Sequence, residues 1–505
     1  MRPDLLTQLA ESLPGDAVVL RTPDQLFTLN DIIELGSALD RQLAQAQVSL
    51  LALYAENSPA WVVADLVCQR RNICLVPLPT FFSPLQIRAT LARCNAGWIL
   101  TDNAEALHAL VQDQVALQAD GLQLQLCRID NASGNAPALP DGTGKITFTS
   151  GSTGDAKGVC LGNQQLLLQA EALKEAVGIN APRHLCLLPL STLLENVAGV
   201  YAPLLAGGEV MIPTLAAMGY QGSRLVQPKQ LLATISSVQP QTLILIPELL
   251  KLLVGAVRSG WQAPSSLRFI AVGGSKVGIN LLHEAWSLGL PVYEGYGLSE
   301  CASVVSLNTP ACNKPGTCGK PLAHLQVEEQ GGELVVHGNA MLGYLSQTDS
   351  WHPRAIHTGD LGYRDAEGFI HLSGRRKNIL ISSYGRNISP EWPESELLAN
   401  PLLQEVVVFG DAMPHLVALV SSRNPALDNA SIQGWVDQVN ASLPDYARIR
   451  AWHRLDHPLA GQPGMLTGNG RPRRMEIARK FAAEIDALYG DQGMPAPTLE
   501  KEHSL

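Results

Sequence analysis

The sequence predicts a layered α/β protein with mostly parallel sheets, followed by a smaller α+β segment. Three observations predict it. Short apolar runs alternate with helical segments through most of the chain. After about residue 315 that texture gives way to short strands between Gly-rich turns. The chain has 505 residues, of which 46% are hydrophobic and 16% charged. At roughly 100–200 residues per domain, that is material for two to four folded domains with a sizeable core.

The elements follow in order. VSLLALYA (48–55) is a short apolar strand. SPAWVVADLVCQRR (58–71) reads as a helix, with Ser58 as N-cap and Pro59 at the first helical position, where a missing N–H costs nothing. NICLVPLP (72–79) is a strand again. AGWILTDN (96–103) is read as a strand, and AEALHALVQDQ after it as a helix. HLCLLPL (184–190) leads into a helical run. TLILIP (242–247), LRFIAVGG (267–274) and PVYEGYG (291–297) complete the series. Runs that are apolar throughout suit strands buried on both faces of a parallel sheet. Beyond residue 315, GELVVHGNAML, GFIHLSG and NILISS predict antiparallel hairpins. VVVFGD and LVALVSS are then strands, and PEWPESELLAN and SIQGWVDQVNASL are helices. The polar tail 491–505 is expected to be disordered.

Composition excludes several classes. A net charge of −10 makes the chain a poor general binder of nucleic acid, whose phosphates would repel it. The N-terminus lacks the apolar core of a secretion signal. No run of 18 apolar residues marks a transmembrane helix. Nine scattered cysteines without a CxxC pair argue for reduced thiols in the cytoplasm rather than a disulfide framework or a zinc site.

The most informative segment is ITFTSGSTGDAKGV (146–159). A short strand runs into Thr149, Ser150, Gly151, Ser152, Thr153 and Gly154, with Lys157 and Gly158 shortly after. Glycines let backbone approach a ligand, hydroxyls and N–H groups point at oxygens, and lysine supplies charge, a combination that suits a polyphosphate. It is not a Walker A loop, because Ala156 and Gly158 flank the lysine where Gly and Ser or Thr are required. No strand leads into GxGxxG either. The segment closely resembles the phosphate loop of the adenylate-forming (AMP-binding) acyl-CoA synthetase superfamily, with Ala156 where that family has proline.

Four further segments resemble the same family in the same order, so the resemblance covers roughly residues 20–485. VYEGYGLSE (292–300) resembles its second signature. By that resemblance Tyr296 stacks on adenine beside Gly297, Ser299 contacts phosphate, and Glu300 holds Mg2+, as a hard carboxylate suits a hard cation. Gly273 and Gly274 resemble the turn against adenine. In HTGDLGYRDAEGFIHLSGRRKNILIS (357–382), Asp360 takes both ribose hydroxyls, Arg375 contacts the nucleotide, and Lys377 falls at the hinge. In SSYGRNISPEWPE (382–394), Gly385 falls along the pantetheine tunnel. The resemblance implies a large multi-layer N-terminal domain (1–376) and a small mobile α+β C-terminal domain (377–490). It implies an AMP-forming acid–thiol ligase using ATP, Mg2+ and CoA. Lys157, Glu300 and Arg471 are its catalytic candidates.

Arg471 is a departure. In LTGNGRPRRMEIARKF (466–481) it stands where the family has a lysine bridging the substrate carboxylate and the α-phosphate. Two unit charges about 4 Å apart interact by about 4 kcal/mol at an effective dielectric of about 20. Arginine keeps that charge with a different shape. Three outcomes fit: Arg471 does the lysine's work, Arg473 does it, or the first half-reaction is weak and the chain is a nucleotide-binding pseudoenzyme.

LPLSTLLENVAG (188–199) falls where the family's acyl pocket begins, with Thr192 and Leu193 as candidate lining residues. Core packing is the commoner role for Leu193, Leu194 and Val197. No Asp occurs between 183 and 200 to pair a buried α-ammonium, which disfavours amino acids. The expected substrate is a medium- or long-chain fatty acid, with an aromatic acid as the alternative. CoA is the expected acceptor, and an acyl carrier protein or another acceptor is the alternative.

Overall fold

The computed structural model describes residues 3–108, 110–116, 123–129, 137–149, 157–222, 224–384, 386–467 and 470–490. Two large sheets dominate the part before residue 345. The first runs in the order Lys320–Pro321, Ser306–Leu307, Val292–Tyr296, Phe269–Val272, Thr242–Leu245, Arg183–Leu185, Glu209–Met211, Val18–Arg21, Leu26–Thr28. It is parallel from Val292–Tyr296 to Val18–Arg21 and antiparallel at both edges. The second runs Gly343–Tyr344, Lys157–Gly162, Thr143–Thr149, Cys74–Pro77, Leu50–Tyr54, Trp98–Thr101, Gln125–Ile129, Val111–Ala116. Its centre is parallel. Cys74–Pro77 and Thr242–Leu245 are buried at every residue, as expected of strands covered on both faces.

The helix Pro59–Arg71 forms as its sequence predicts. The Ser58 side chain accepts from the Trp61 N–H, and Asn72 closes the helix in the left-handed region at φ 55°. Eleven of its thirteen residues are buried, which explains why it carries no polar stripe.

One expected helix is absent. AEALHALVQDQ folds as a 3-10 turn at Glu105–Leu107 and an edge strand at Val111–Ala116, antiparallel to Gln125–Ile129. Its residues favour a helix locally. Completing the sheet edge satisfies more backbone groups, and tertiary context overrides propensity.

Gln326–Gln330, Glu333–His337, Ala355–Arg364 and Ile370–Arg375 form the antiparallel sheet that the Gly-rich texture predicted. After it, Leu403–Phe409, Leu416–Ser422 and Ile449–Arg454 make a three-stranded sheet packed by Glu391–Leu398, Asn429–Ser442 and Ala482–Tyr489. The two core clusters here draw only on residues from Leu380 to Tyr489. No helix among the described residues is long and apolar enough to cross a membrane. The tail 491–505 lies outside the described residues.

Candidate active site

Thr149 ends the strand Thr143–Thr149, and Lys157 begins the antiparallel strand Lys157–Gly162. The two residues are register partners, so the loop between them is a hairpin connection at the edge of the parallel centre. Ser150, Gly151, Ser152, Thr153 and Gly154 lie outside the described residues, as does Gly385. Close packing keeps the hairpin base narrow: a Cβ on Gly158 would meet Leu345 Cβ at 3.0 Å and Ile146 Cγ2 at 3.1 Å.

Lys157 and Glu300 are brought together through a residue the sequence reading missed. Lys157 Nζ sits over the Tyr344 ring, 4.6 Å from its centroid. The Tyr344 hydroxyl donates to Glu300 Oε1 at 2.9 Å. Burial first, and then the Glu300 carboxylate, push the Tyr344 pKa up, so the phenol stays neutral and donates. The Glu300 backbone is held by Met341, whose N–H donates to Glu300 O at 2.7 Å. Tyr344 shares the edge strand Gly343–Tyr344, which pairs with Lys157–Gly162. The edge strand Gly343–Tyr344 and its neighbour Lys157–Gly162 therefore bring the lysine and the carboxylate together.

A second group forms where Tyr296, at the end of a strand of the other large sheet, meets the four-stranded antiparallel sheet. Tyr296 donates from its hydroxyl to Asp360 Oδ2 at 2.7 Å, and Arg375 Nε donates to Asp360 Oδ1 at 2.6 Å. Asp360 and Arg375 are register partners in adjacent strands, which places their side chains together. Asp360 is buried, and its N–H donates to Thr358 Oγ1 at 3.0 Å. Burial disfavours the Arg375 charge, but the adjacent Asp360 more than offsets this and raises its pKa. Burial and Asp360 together push the Tyr296 phenol well up.

Glycines shape the space between. Gly273 is buried with Gly295 O 3.0 Å from where its Cβ would sit, and Gly274 turns at φ 87°. At Gly297 a Cβ would fall 1.7 Å from Ser303 O, so no side chain fits. Ser299 and Glu300 begin the 3-10 turn Ser299–Cys301. Ala302 and Ser303 follow with φ of 56° and 105°. Left-handed backbone at two successive non-glycine residues is strain, of the kind that clusters at ligand sites. The Ser303 hydroxyl is buried without a hydrogen-bond partner among the described residues.

Arg471 reaches this group from the C-terminal part: its Nη2 donates to Gly274 O. Its own backbone is closed into a tight loop, with N–H to Thr467 Oγ1 at 3.0 Å and Gly470 at φ 74°. The guanidinium is accessible to solvent, while partial burial in the cleft and the nearby Arg375 lower its pKa. It remains a cation regardless. Arg474, three residues on, anchors the segment: Nη1 donates to Glu394 Oε1 at 2.7 Å and Val408 O at 2.6 Å, and Nη2 to Glu394 Oε2 at 3.2 Å. Lys377 is exposed on the 3-10 turn Arg376–Asn378.

The acyl candidates divide. Thr192 is half-buried, with its N–H donating to Pro189 O at 2.9 Å. Leu193 and Val197 pack in the main core, the commoner role for such residues. Asn57, unflagged by sequence, holds this stretch: its Nδ2 donates to Leu188 O at 2.9 Å, and Leu190 N–H donates to its Oδ1 at 2.8 Å.

The lysine, the carboxylate, the Tyr296–Arg375 pair around the buried Asp360 and an arginine from the C-terminal part make a site suited to a nucleotide. Comparison with known proteins agrees. The sequence profile of the AMP-binding enzyme family matches residues 29–345, and that of the AMP-binding enzyme C-terminal domain matches residues 377–493. The chain belongs to the AMP-binding enzyme family. It is 31% identical over 258 residues to the long-chain-fatty-acid–CoA ligase FadD15 of Mycobacterium bovis, covering 44% of this chain and 42% of that relative. It is 27% identical over 431 residues to the 2-succinylbenzoate–CoA ligase of Bacillus subtilis, covering 81% and 85%. The fold is that of the Bacillus subtilis o-succinylbenzoate CoA synthetase bound to its acyl-adenylate intermediate, with TM-score 0.76, 24% identity and coverage of 94% and 98%. That synthetase has also been solved with ATP and magnesium ion.

Proposed function

We propose that the chain activates a carboxylic acid with ATP, forming an acyl-adenylate and pyrophosphate, and passes the acyl group to the thiol of CoA. The observation that carries this reading is Arg471 donating to Gly274 O across the two units. It puts a permanent cation beside the Tyr296–Asp360–Arg375 group, where negative charge would build during adenylation. Arg473 is the weaker candidate for that role. Its Nε is buried and has no hydrogen-bond partner among the described residues.

Each residue then has a chemical task. Asp360, an acceptor-only carboxylate paired with Arg375, takes the ribose hydroxyls. Gly274 leaves room for a planar base beside Tyr296, while Gly273 and Gly297 let the Gly295 and Ser303 carbonyls pack close behind it. Lys157 and the hydroxyl-rich loop before it take the phosphates. Glu300 fits Mg2+, which is commonly held by one carboxylate plus substrate phosphates; the ion would supply charge neutralisation on the leaving pyrophosphate. The attacking carboxylate is already an anion, so positioning and charge neutralisation are the main demands. Lys377, on its exposed turn, is assigned as the hinge of a mobile C-terminal domain, with the boundary between residues 376 and 377. Gly385 is assigned to the thiol's path.

A medium- or long-chain fatty acid is the favoured substrate. The relationship to FadD15 and the absence of Asp from 183–200 support it. An aromatic acid is the second reading, favoured by the long coverage of the succinylbenzoate ligase. All nine cysteines are free and eight are buried, which supports a reducing, cytoplasmic setting. The test is pyrophosphate release across fatty and aromatic acids, with and without CoA, for the native chain, Arg471→Lys and Arg471→Ala. Release that needs one acid, is accelerated by CoA and falls at least ~100-fold in Arg471→Ala supports the reading. Full activity in Arg471→Ala removes Arg471 from the mechanism.

A further inference from the structure

The segment Glu195–Tyr201 is wound as a π-helix, a rare form that often marks functional stretches. It is pinned to both large sheets by buried polar groups. On one side Glu195 Oε1 meets His184 Nε2 at 2.9 Å, and His184 Nδ1 lies 2.9 Å from Thr242 Oγ1. Glu195 Oε2 accepts from the Leu188 N–H at 3.3 Å. Gly199 makes this pair possible, since a Cβ there would fall 2.4 Å from Glu195 Oε1 and 2.7 Å from His184 Nε2.

On the other side Lys145 Nζ donates to Asn196 Oδ1 at 2.5 Å and to the Tyr201 hydroxyl at 2.9 Å, and pairs with Asp65 Oδ1 at 2.8 Å. Asn196 Nδ2 and the Tyr201 hydroxyl both donate to Asp65 Oδ2, at 2.8 and 2.5 Å. Burial and Asp65 push the Tyr201 phenol well up, so it stays a donor. Lys145, Asp65, Asn196, Tyr201, Glu195 and His184 are each 2% exposed or less.

The placement of these groups is what matters. Lys145 stands on Thr143–Thr149, four residues (~13 Å of strand) before the end that opens the phosphate loop. His184 and Thr242 stand on neighbouring strands of the sheet that carries Gly273, Gly274 and Tyr296. The π-helix also continues from the acyl candidate segment, with the Asn196 N–H donating to Thr192 O at 3.1 Å. ATP in the proposed reaction would therefore reach between the two large sheets, phosphates at one and base at the other, with its ribose at Asp360 on the four-stranded antiparallel sheet. The π-helix is the element tied to both. A buried ion pair adds little net stability over an apolar pair of equal volume. Satisfied polar networks instead fix one arrangement of the elements they join.

We propose that these six side chains form a polar strut through the π-helix, holding the phosphate-binding strand in register with the base-binding sheet and with the acyl segment. They are positioning residues for the attack of the carboxylate on the α-phosphate, and the proposal rests on the adenylation reading above. Misplacement of reacting groups by about 1 Å costs about 100-fold in rate, which is the scale of effect the strut controls.

Two variants test it. Tyr201→Phe removes one hydroxyl and leaves the charges paired. Lys145→Met with Asp65→Leu replaces the ion pair by an apolar pair. Amide exchange is followed in the segments 143–149 and 195–201 of the full chain, together with kcat and KM for ATP in pyrophosphate release. The strut predicts exchange rising at least ~10-fold in both segments at once. It predicts kcat falling about 10- to 100-fold with KM for ATP nearly unchanged. Exchange rising only in the segment that carries the substitution overturns it, as does an unchanged kcat. Where the double variant does not fold, Tyr201→Phe decides alone. A native chain that releases no pyrophosphate with any acid contradicts the adenylation reading, and the exchange result then decides on the strut by itself.

Discussion

Replacing Arg474 by methionine tests how the arginine-bearing segment is held. The pair is bidentate, at 2.7 and 3.2 Å, with side-chain exposures of 17% for Arg474 and 8% for Glu394. It joins the helix Glu391–Leu398, the helix Arg474–Lys480 and, through Val408, the strand Leu403–Phe409. In Arg474→Met, Glu394 keeps one donor, the Val408 N–H at 2.7 Å. Removing one partner of a buried pair costs about 3–5 kcal/mol. At about 1.4 kcal/mol per decade, local opening of the C-terminal unit rises roughly 10²- to 10⁴-fold. The sign with pH follows from Glu394, whose pKa is already raised by burial despite Arg474. Without Arg474 it rises further above its unfolded value. The destabilisation is therefore small at pH 4 and grows as pH rises toward the folded pKa. Amide exchange at residues 403–409 and 474–480 of the full chain, at pH 5 and pH 8, measures both effects. The double change Glu394→Leu with Arg474→Met recovers most of the loss. A cost below about 1 kcal/mol, or one that shrinks as pH rises, refutes the reasoning.

Two further predictions concern the site and its pH response. Asp360→Asn weakens the acceptor for ribose hydroxyls and leaves Arg375 without its partner; hydrogen bonds to charged groups are worth about 1.5–3 kcal/mol, so AMP binding weakens about 10- to 100-fold by calorimetry. Unaltered AMP affinity would remove Asp360 from the site. Glu294, buried behind the Gly273 turn, has its pKa pushed up to about 8, chiefly by burial, with the Val277 N–H and Lys276 opposing. Its folded pKa exceeds its unfolded one, so its contribution is favourable at acid pH and is lost as pH rises from about 4.5 through about 8, by up to about 1.4 kcal/mol per pH unit. Glu294→Gln should flatten that slope in denaturant unfolding; an unchanged slope assigns the pH dependence elsewhere.

Much of this was legible in residues. The strands Leu50–Tyr54, Thr242–Leu245 and Phe269–Val272 are continuous apolar runs, and such runs between turn signals have few other readings. The capping of Pro59–Arg71 was written in Ser58 and Pro59. Asp360 and Arg375 stood fifteen residues apart in a single motif, yet their contact depends on strand register, which spacing alone does not give. The edge strand Val111–Ala116 was misread because its partner Gln125–Ile129 lies beyond the window in which periodicity works. Tyr344 was missed for the same reason: nothing near GYLSQ announces a contact with Lys157 or Glu300. The strut had a signal that went unused. Asp65 interrupts WVVADLVC and Lys145 abuts ITF, and opposite charges in two otherwise apolar elements must find each other or remain costly.

The central claim is that the acid's own oxygen attacks the α-phosphate. Attack there leaves one carboxyl oxygen bridging carbon and phosphorus, and thiol attack on the carbonyl carbon leaves that oxygen with the nucleotide. The most direct measurement supplies the acid with both carboxyl oxygens as oxygen-18, together with ATP, Mg2+ and CoA, and weighs the nucleotide product. The account predicts AMP carrying one labelled oxygen, with unlabelled pyrophosphate and an acyl-CoA. Formation of ADP, or of AMP without label, contradicts it.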